Sequence, residues 1–85
     1  LKALSARVVR AAPDDLAANQ MRAYVLCGKG ACAWQAELEP RSAAEFREAA
    51  THYERAAALC PAPAGKANFA GDAAMCRRQA QQLVA

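Results

Sequence analysis

The stretch from Ser42 to Pro61, SAAEFREAATHYERAAALCP, decides the fold, because its start, apolar stripe and stop all agree on one helix. Ser42 stands three residues ahead of Glu45, the spacing of a capping box in which each side chain satisfies a free backbone N–H of the first turn. Phe46, Ala49, Ala50, Tyr53, Ala56, Ala57 and Cys60 recur at steps of three and four, so they share one helical face. Arg47, Glu48, Glu54 and Arg55 fall mainly on the other faces. Pro61 and Pro63 end the run, since a residue before proline is pushed out of the α region.

Outward from this helix the same signals repeat with less force. Residues 2–12 read as a helix with Leu4, Val8 and Ala11 inward, stopped by Pro13. A second helix over about 14–27 starts at Asp14 or Asp15, where an acidic side chain suits the helix N-terminus. Its inward residues are expected to be Leu16, Ala17, Gln20, Ala23, Tyr24 and Cys27, and Gly28 fits its C-terminal cap. Residues 32–39 are expected to form a short helix carrying Trp34 and Leu38. After residues 42–60, a last helix over about 66–83 presents Phe69, Ala73, Cys76, Ala80 and Leu83 on one stripe. No segment alternates as a strand would. The expected architecture is all-α, built of antiparallel helical hairpins joined by short turns.

Composition sets limits on this domain. The 85 residues include 25 alanines and no isoleucine, so helices pack closely but each buried residue removes little apolar area from water. Such a core is expected to be marginal alone, with neighbouring repeats or self-association supplying the remainder. The chain opens on Leu1 inside helical sequence, as a piece of a longer chain would. The net charge of +3 is scattered without a basic run interleaved with aromatics, so nucleic acid is not an expected partner. No apolar run approaches the ~20 residues of a membrane span.

Ala49, Tyr53, Ala56 and Pro61 stand at the offsets of the second helix of a tetratricopeptide repeat, which the chain resembles. Tyr24 and Gly28 are spaced as the Tyr and Gly of a repeat's first helix, Gly71 falls where the next repeat places its glycine, and Pro13 stops an earlier second helix. Ala17, Gln20, Met21 and Ala74 depart from the pattern. Pro13 and Pro61 also stand farther apart than one repeat of about 34 residues, so residues 29–41 read as an insertion within the hairpin. The resemblance implies a concave face lined by first helices: Ala18, Arg22 and Val25 on one, and Asn68, Asp72 and Met75 on the last. It implies a peptide or protein partner and no catalysis.

The residues that could carry chemistry are few. Cys27, Cys32, Cys60 and Cys76 lack the two close pairs of a structural zinc site, so neither metal nor cofactor is expected. Cys60 and Cys76 lie about ten helical residues apart, or ~15 Å along the axis, too far for a disulfide. Cys27 and Cys32 are close enough for one that would brace the inserted segment. The alternative is that all four thiols serve as small apolar residues, in keeping with an intracellular location. His52, beside Tyr53 and off the apolar stripe, is expected to be a solvated surface histidine. Trp34 either pins the inserted segment onto the helices or meets a partner.

Three functions are consistent with this reading: an interaction module of tetratricopeptide type, a structural segment docking in a larger assembly, and a thiol-redox or metal-binding helical protein. Arg22, Trp34, Asn68, Asp72 and Met75 are the expected partner-binding residues under the first.

Overall fold

A computed structural model describes residues 2–29 and 40–84. Among them are four helices and no strand: α1 Lys2–Ala11, α2 Leu16–Cys27, α3 Ala43–Leu59 and α4 Pro63–Val84. Each packs antiparallel on its neighbour in the chain, with α3 lying between α2 and α4. The expected short helix over 32–39, with Trp34 and Cys32, lies outside the described residues.

The capping box on α3 is present in full. Glu45 N donates to Ser42 Oγ at 3.1 Å and Ser42 N donates to Glu45 Oε1 at 3.0 Å. Ala49, Ala50, Tyr53 and Ala56 are all buried, as the stripe predicts. The alanines have no side chain to hold neighbours away, so α2 and α4 close onto both sides of α3 and Tyr53 fills the seam. Its ring lies 6.2 Å from that of Tyr24 on α2 and 6.4 Å from that of Phe69 on α4. These residues, with Ala23, Leu26, Ala73 and Cys76, form the core.

The ends of the helices follow local chemistry. Asp15 caps α2 by accepting from Ala18 N at 2.8 Å, and Gly28 ends it in the left-handed conformation at φ 70°, open to glycine at little cost. α4 begins three residues earlier than expected, at Pro63. Proline breaks a helix it interrupts but suits the first helical position, where its missing N–H would have no partner. Lys66 then reaches back to donate to the carbonyls of Ala57 and Ala58, which lack partners at the end of α3. Gly65 lets the chain pass close to Cys60: a Cβ there would lie 2.5 Å from Cys60 Sγ, which would have to turn aside.

Three inward faces differ from expectation. On α1 the buried residues are Ser5 and Val9, while Leu4 and Val8 are 52% and 44% exposed. The helix is turned so that Arg22 can donate to Ser5 Oγ and Lys2 O. On α2, Ala18, Asn19, Val25 and Leu26 join Ala23 inside and Ala17 is exposed, because α1 and α3 cover two sides of this helix. A single stripe does not describe a helix buried from two directions. On α4, Ala73, Cys76 and Ala80 are buried as expected but Leu83 is exposed, in the last turn of the helix.

Candidate functional site

The polar residues inside the fold gather where α1, α2 and α3 meet. Asn19 is fully buried, and its Nδ2 donates to Pro13 O and Asp15 O, both at 2.9 Å. That commits its Oδ1 to accept, and His52 Nδ1 stands 3.0 Å from it. His52 is therefore the tautomer protonated at Nδ1. Its Nε2 faces Glu48 Oε2 at 3.3 Å, and the same carboxylate oxygen accepts from Arg22 Nε at 3.2 Å. Arg22 also donates to Lys2 O at 2.8 Å and Ser5 Oγ at 3.0 Å.

His52 is thus a buried joint rather than the solvated histidine expected. It lies off the apolar stripe, but α2 and α1 approach α3 from that side and Asn19 supplies a polar partner in the interior. Burial holds its pKa below the ordinary 6.5; Glu48 works the other way, and Arg55 and Arg22 add to the depression. Nδ1 is committed to Asn19, and Nε2 donates to Glu48 only when the ring is protonated, which suits a structural role better than proton transfer to a ligand.

Above this joint opens a cleft of about 460 Å³, lined by Ala6, Val9, Arg10, Pro13, Arg22, Glu48, His52 and Arg55. It holds three guanidinium groups and one carboxylate. Glu48 is paired with Arg22, while neither Arg10 nor Arg55 has an ion-pair partner among the described residues. The cleft is positively charged at neutral pH.

A second cavity, of about 420 Å³, lies between α2 and α4 and is lined by Gln20, Tyr24, Lys29, Gly65, Asn68, Phe69 and Asp72. It brings together Asn68 and Asp72, two of the expected partner-binding residues. Its charge is internally matched, since Lys29 Nζ lies 2.5 Å from Asp72 Oδ1. Met75 is exposed further along α4 and does not line it. Arg22 belongs to the other cleft, and Ala18 and Val25 are buried between helices instead of facing an open groove.

Cys27 packs against the core that contains Tyr53 and Cys76. Cys27 Sγ lies 3.4 Å from the Tyr53 hydroxyl. The influence of Cys76, then Tyr53 and the charge of Lys29, stabilise the thiolate against the effect of burial, and Cys27 is lowered from 9.0 to about 6. Cys27, together with burial, pushes Cys76 up. Burial raises Tyr53 as well. Cys27, Cys60 and Cys76 are free thiols; the pairing of Cys27 with Cys32 involves a residue outside those described. Among the described residues, no group of three or more His, Cys, Asp or Glu side chains could hold a metal ion, and no helix is long and apolar enough to cross a membrane.

The shifts of His52 and Cys27 have the same consequence for stability. An unfolded histidine takes up its proton near 6.5 while the folded one resists, so stability falls as the pH drops below that value. The stability that Cys27 contributes is complete above 9.0 and is lost as the pH falls through about 6. The urea midpoint is expected to fall between pH 8 and pH 5, and the alkylation rate of Cys27 by iodoacetamide to level off above about pH 7. A rate still rising toward pH 9 would show an ordinary thiol.

Arg10, Arg55, Glu48 and His52 were not singled out by sequence reasoning as a site. No local motif marks them, since the set comes from separate helices. No family model, curated protein or solved structure matches the chain.

Proposed function

We propose that the chain is a non-catalytic helical interaction module, tetratricopeptide-like in its hairpins, that binds an acidic segment of a protein partner in the cleft between α1, α2 and α3. The observation that carries this reading is the pair of guanidinium groups at Arg10 and Arg55, without ion-pair partners among the described residues, flanking a cleft whose one carboxylate is already paired. Arginine forks fit carboxylates with two hydrogen bonds, and a cationic cleft speeds the encounter with an anionic peptide. The buried Asn19–His52 joint beneath keeps the three helices in fixed relation, so the cleft is preorganised.

A second cationic surface, with Arg47, Arg77 and Arg78 around about 290 Å³, serves as the control. There Arg77 is held by both oxygens of Glu54, at 3.1 and 2.7 Å. Fluorescence anisotropy with a labelled Asp/Glu-rich peptide is expected to show binding that weakens with salt. It should weaken about tenfold or more in the double variant Arg10→Glu, Arg55→Glu. Arg47→Glu with Arg78→Glu should change it little. Equal losses in both double variants would reduce the effect to net charge and sink the assignment.

The outer face of α1, with Leu4 and Val8 exposed, favours a second reading, a segment that docks within a larger assembly. Sedimentation showing stable self-association abolished by Leu4→Ser and Val8→Ser would support it.

A further inference from the structure

The cleft that receives the acidic segment has a charge and a donor pattern that narrow what fills it. Its three guanidinium groups come from three helices, Arg10 from α1, Arg22 from α2 and Arg55 from α3, and line one space of about 460 Å³. Arg10 and Arg55 are exposed, and their side chains have no ion-pair partner among the described residues. Arg22 is different. Its side chain is only 11% exposed, and it is held by Glu48 through Nε and by Lys2 O and Ser5 Oγ through Nη1. Nη2 enters none of these bonds. A guanidinium fixed by its other two nitrogens therefore keeps a donor unused on the lining of the cleft.

The charges do not cancel. Glu48 is the one carboxylate of the lining, and it is already paired with Arg22. His52, held neutral by burial, adds nothing at neutral pH. Two positive charges are left without a counter-charge. A carboxylate brings one negative charge and accepts its bonds in one plane. A phosphate monoester carries about −1.5 to −2 at pH 7 and accepts through three oxygens around a tetrahedral centre. Donors arriving from three helices suit the second shape.

We propose, on the strength of the peptide reading above, that the cleft between α1, α2 and α3 is a phosphate-monoester site, filled by a phosphorylated side chain of the acidic partner segment.

Arg10 and Arg55 supply forked bonds to the phosphoryl oxygens, and Arg22 Nη2 supplies a further one. Glu48 stays with Arg22 and keeps its fork in place. The second proton of a phosphate monoester is lost near pH 6, so the site separates it from an aspartate above that pH and hardly below it.

The test is fluorescence anisotropy on the full chain with one labelled Asp/Glu-rich peptide in three forms, carrying phosphoserine, Asp or Ser at its centre. At pH 7.5 the phosphoserine form is expected to bind about tenfold tighter than the Asp form, and this preference should shrink at pH 5.5. Arg10→Glu with Arg55→Glu should abolish the preference, while Arg47→Glu with Arg78→Glu should keep it. All four arginines are exposed, and circular dichroism checks that each variant is folded. Inorganic phosphate at the peptide's own concentration should displace little of it. An Asp form that binds as tightly as the phosphoserine form would overturn the phosphate site and leave the acidic-segment reading standing, whereas no binding of either form would end both. A preference retained in Arg10→Glu, Arg55→Glu would overturn the site as well, and displacement by inorganic phosphate as strong as by the phosphopeptide would overturn a peptide as its source.

Discussion

Tyr53→Ala is expected to cost about 3–5 kcal/mol of stability, the range for removing a fully buried large aromatic side chain. Tyr53 has no exposed surface, and its ring stands among Ala49, Ala50 and Ala56 on the buried face of α3. Two helices meet on that ring, α2 through Tyr24 and α4 through Phe69. An alanine there leaves a cavity that the neighbouring alanines are too small to fill. A domain of this length has about 4–13 kcal/mol in total, so the variant should be largely unfolded in mild urea. Tyr53→Phe keeps the ring and loses only the contact with Cys27, costing about 1 kcal/mol. Chemical denaturation followed by circular dichroism separates the two. An alanine variant no weaker than the phenylalanine one would show that the α2–α3–α4 seam is not the core.

Asn19→Leu is expected to cost about 3 kcal/mol although it keeps the branched shape of the side chain. The side-chain amide bonds Pro13 O, Asp15 O and His52 Nδ1, and leucine offers none of them a partner. Asp15 O still accepts from Asn19 N, so the cost falls on the Pro13 carbonyl and the His52 ring. Each buried group left without a partner costs about 1–3 kcal/mol. The pairwise nature of the loss is checkable, since His52→Leu in the same background removes one of the stranded groups. The double variant should therefore lose less than the sum of the singles. Strict additivity would mean that the joint between α2 and α3 is not coupled through these two residues.

These two sites also show how much of the fold could be read in advance. The environment of Tyr53 was legible because every signal for α3 is local: a cap and its reciprocal glutamate three residues apart, a stripe on one face, and a proline beyond. Asn19 and His52 were not legible, because each is polar and each lies off the stripe of its own helix. Only the arrival of another helix turns them inward. Val8 and Ser5 exchanged roles for the same reason, since Arg22 on α2 decides which side of α1 is buried. Pro63 was read as a terminator when it is a first helical residue; both uses depend on the same fixed φ and missing N–H.

The candidate sites were less legible still. Asn68 and Asp72 share a cavity, which Lys29 neutralises from the end of α2. The cationic cleft takes Arg10 from α1, Arg22 from α2 and Arg55 from α3, and no spacing along the chain relates them.

The central claim is that the cleft between α1, α2 and α3 receives an acidic peptide. Titration of the isotope-labelled chain with an unlabelled Asp/Glu-rich peptide, followed by backbone amide chemical shifts, tests it most directly. Saturable shifts are predicted at Val9, Arg10, Arg22, Glu48, His52 and Arg55, with little change at Asn68, Asp72, Arg77 and Arg78. Shifts confined to Asn68, Asp72 and their neighbours, or spread evenly over every arginine, would contradict it.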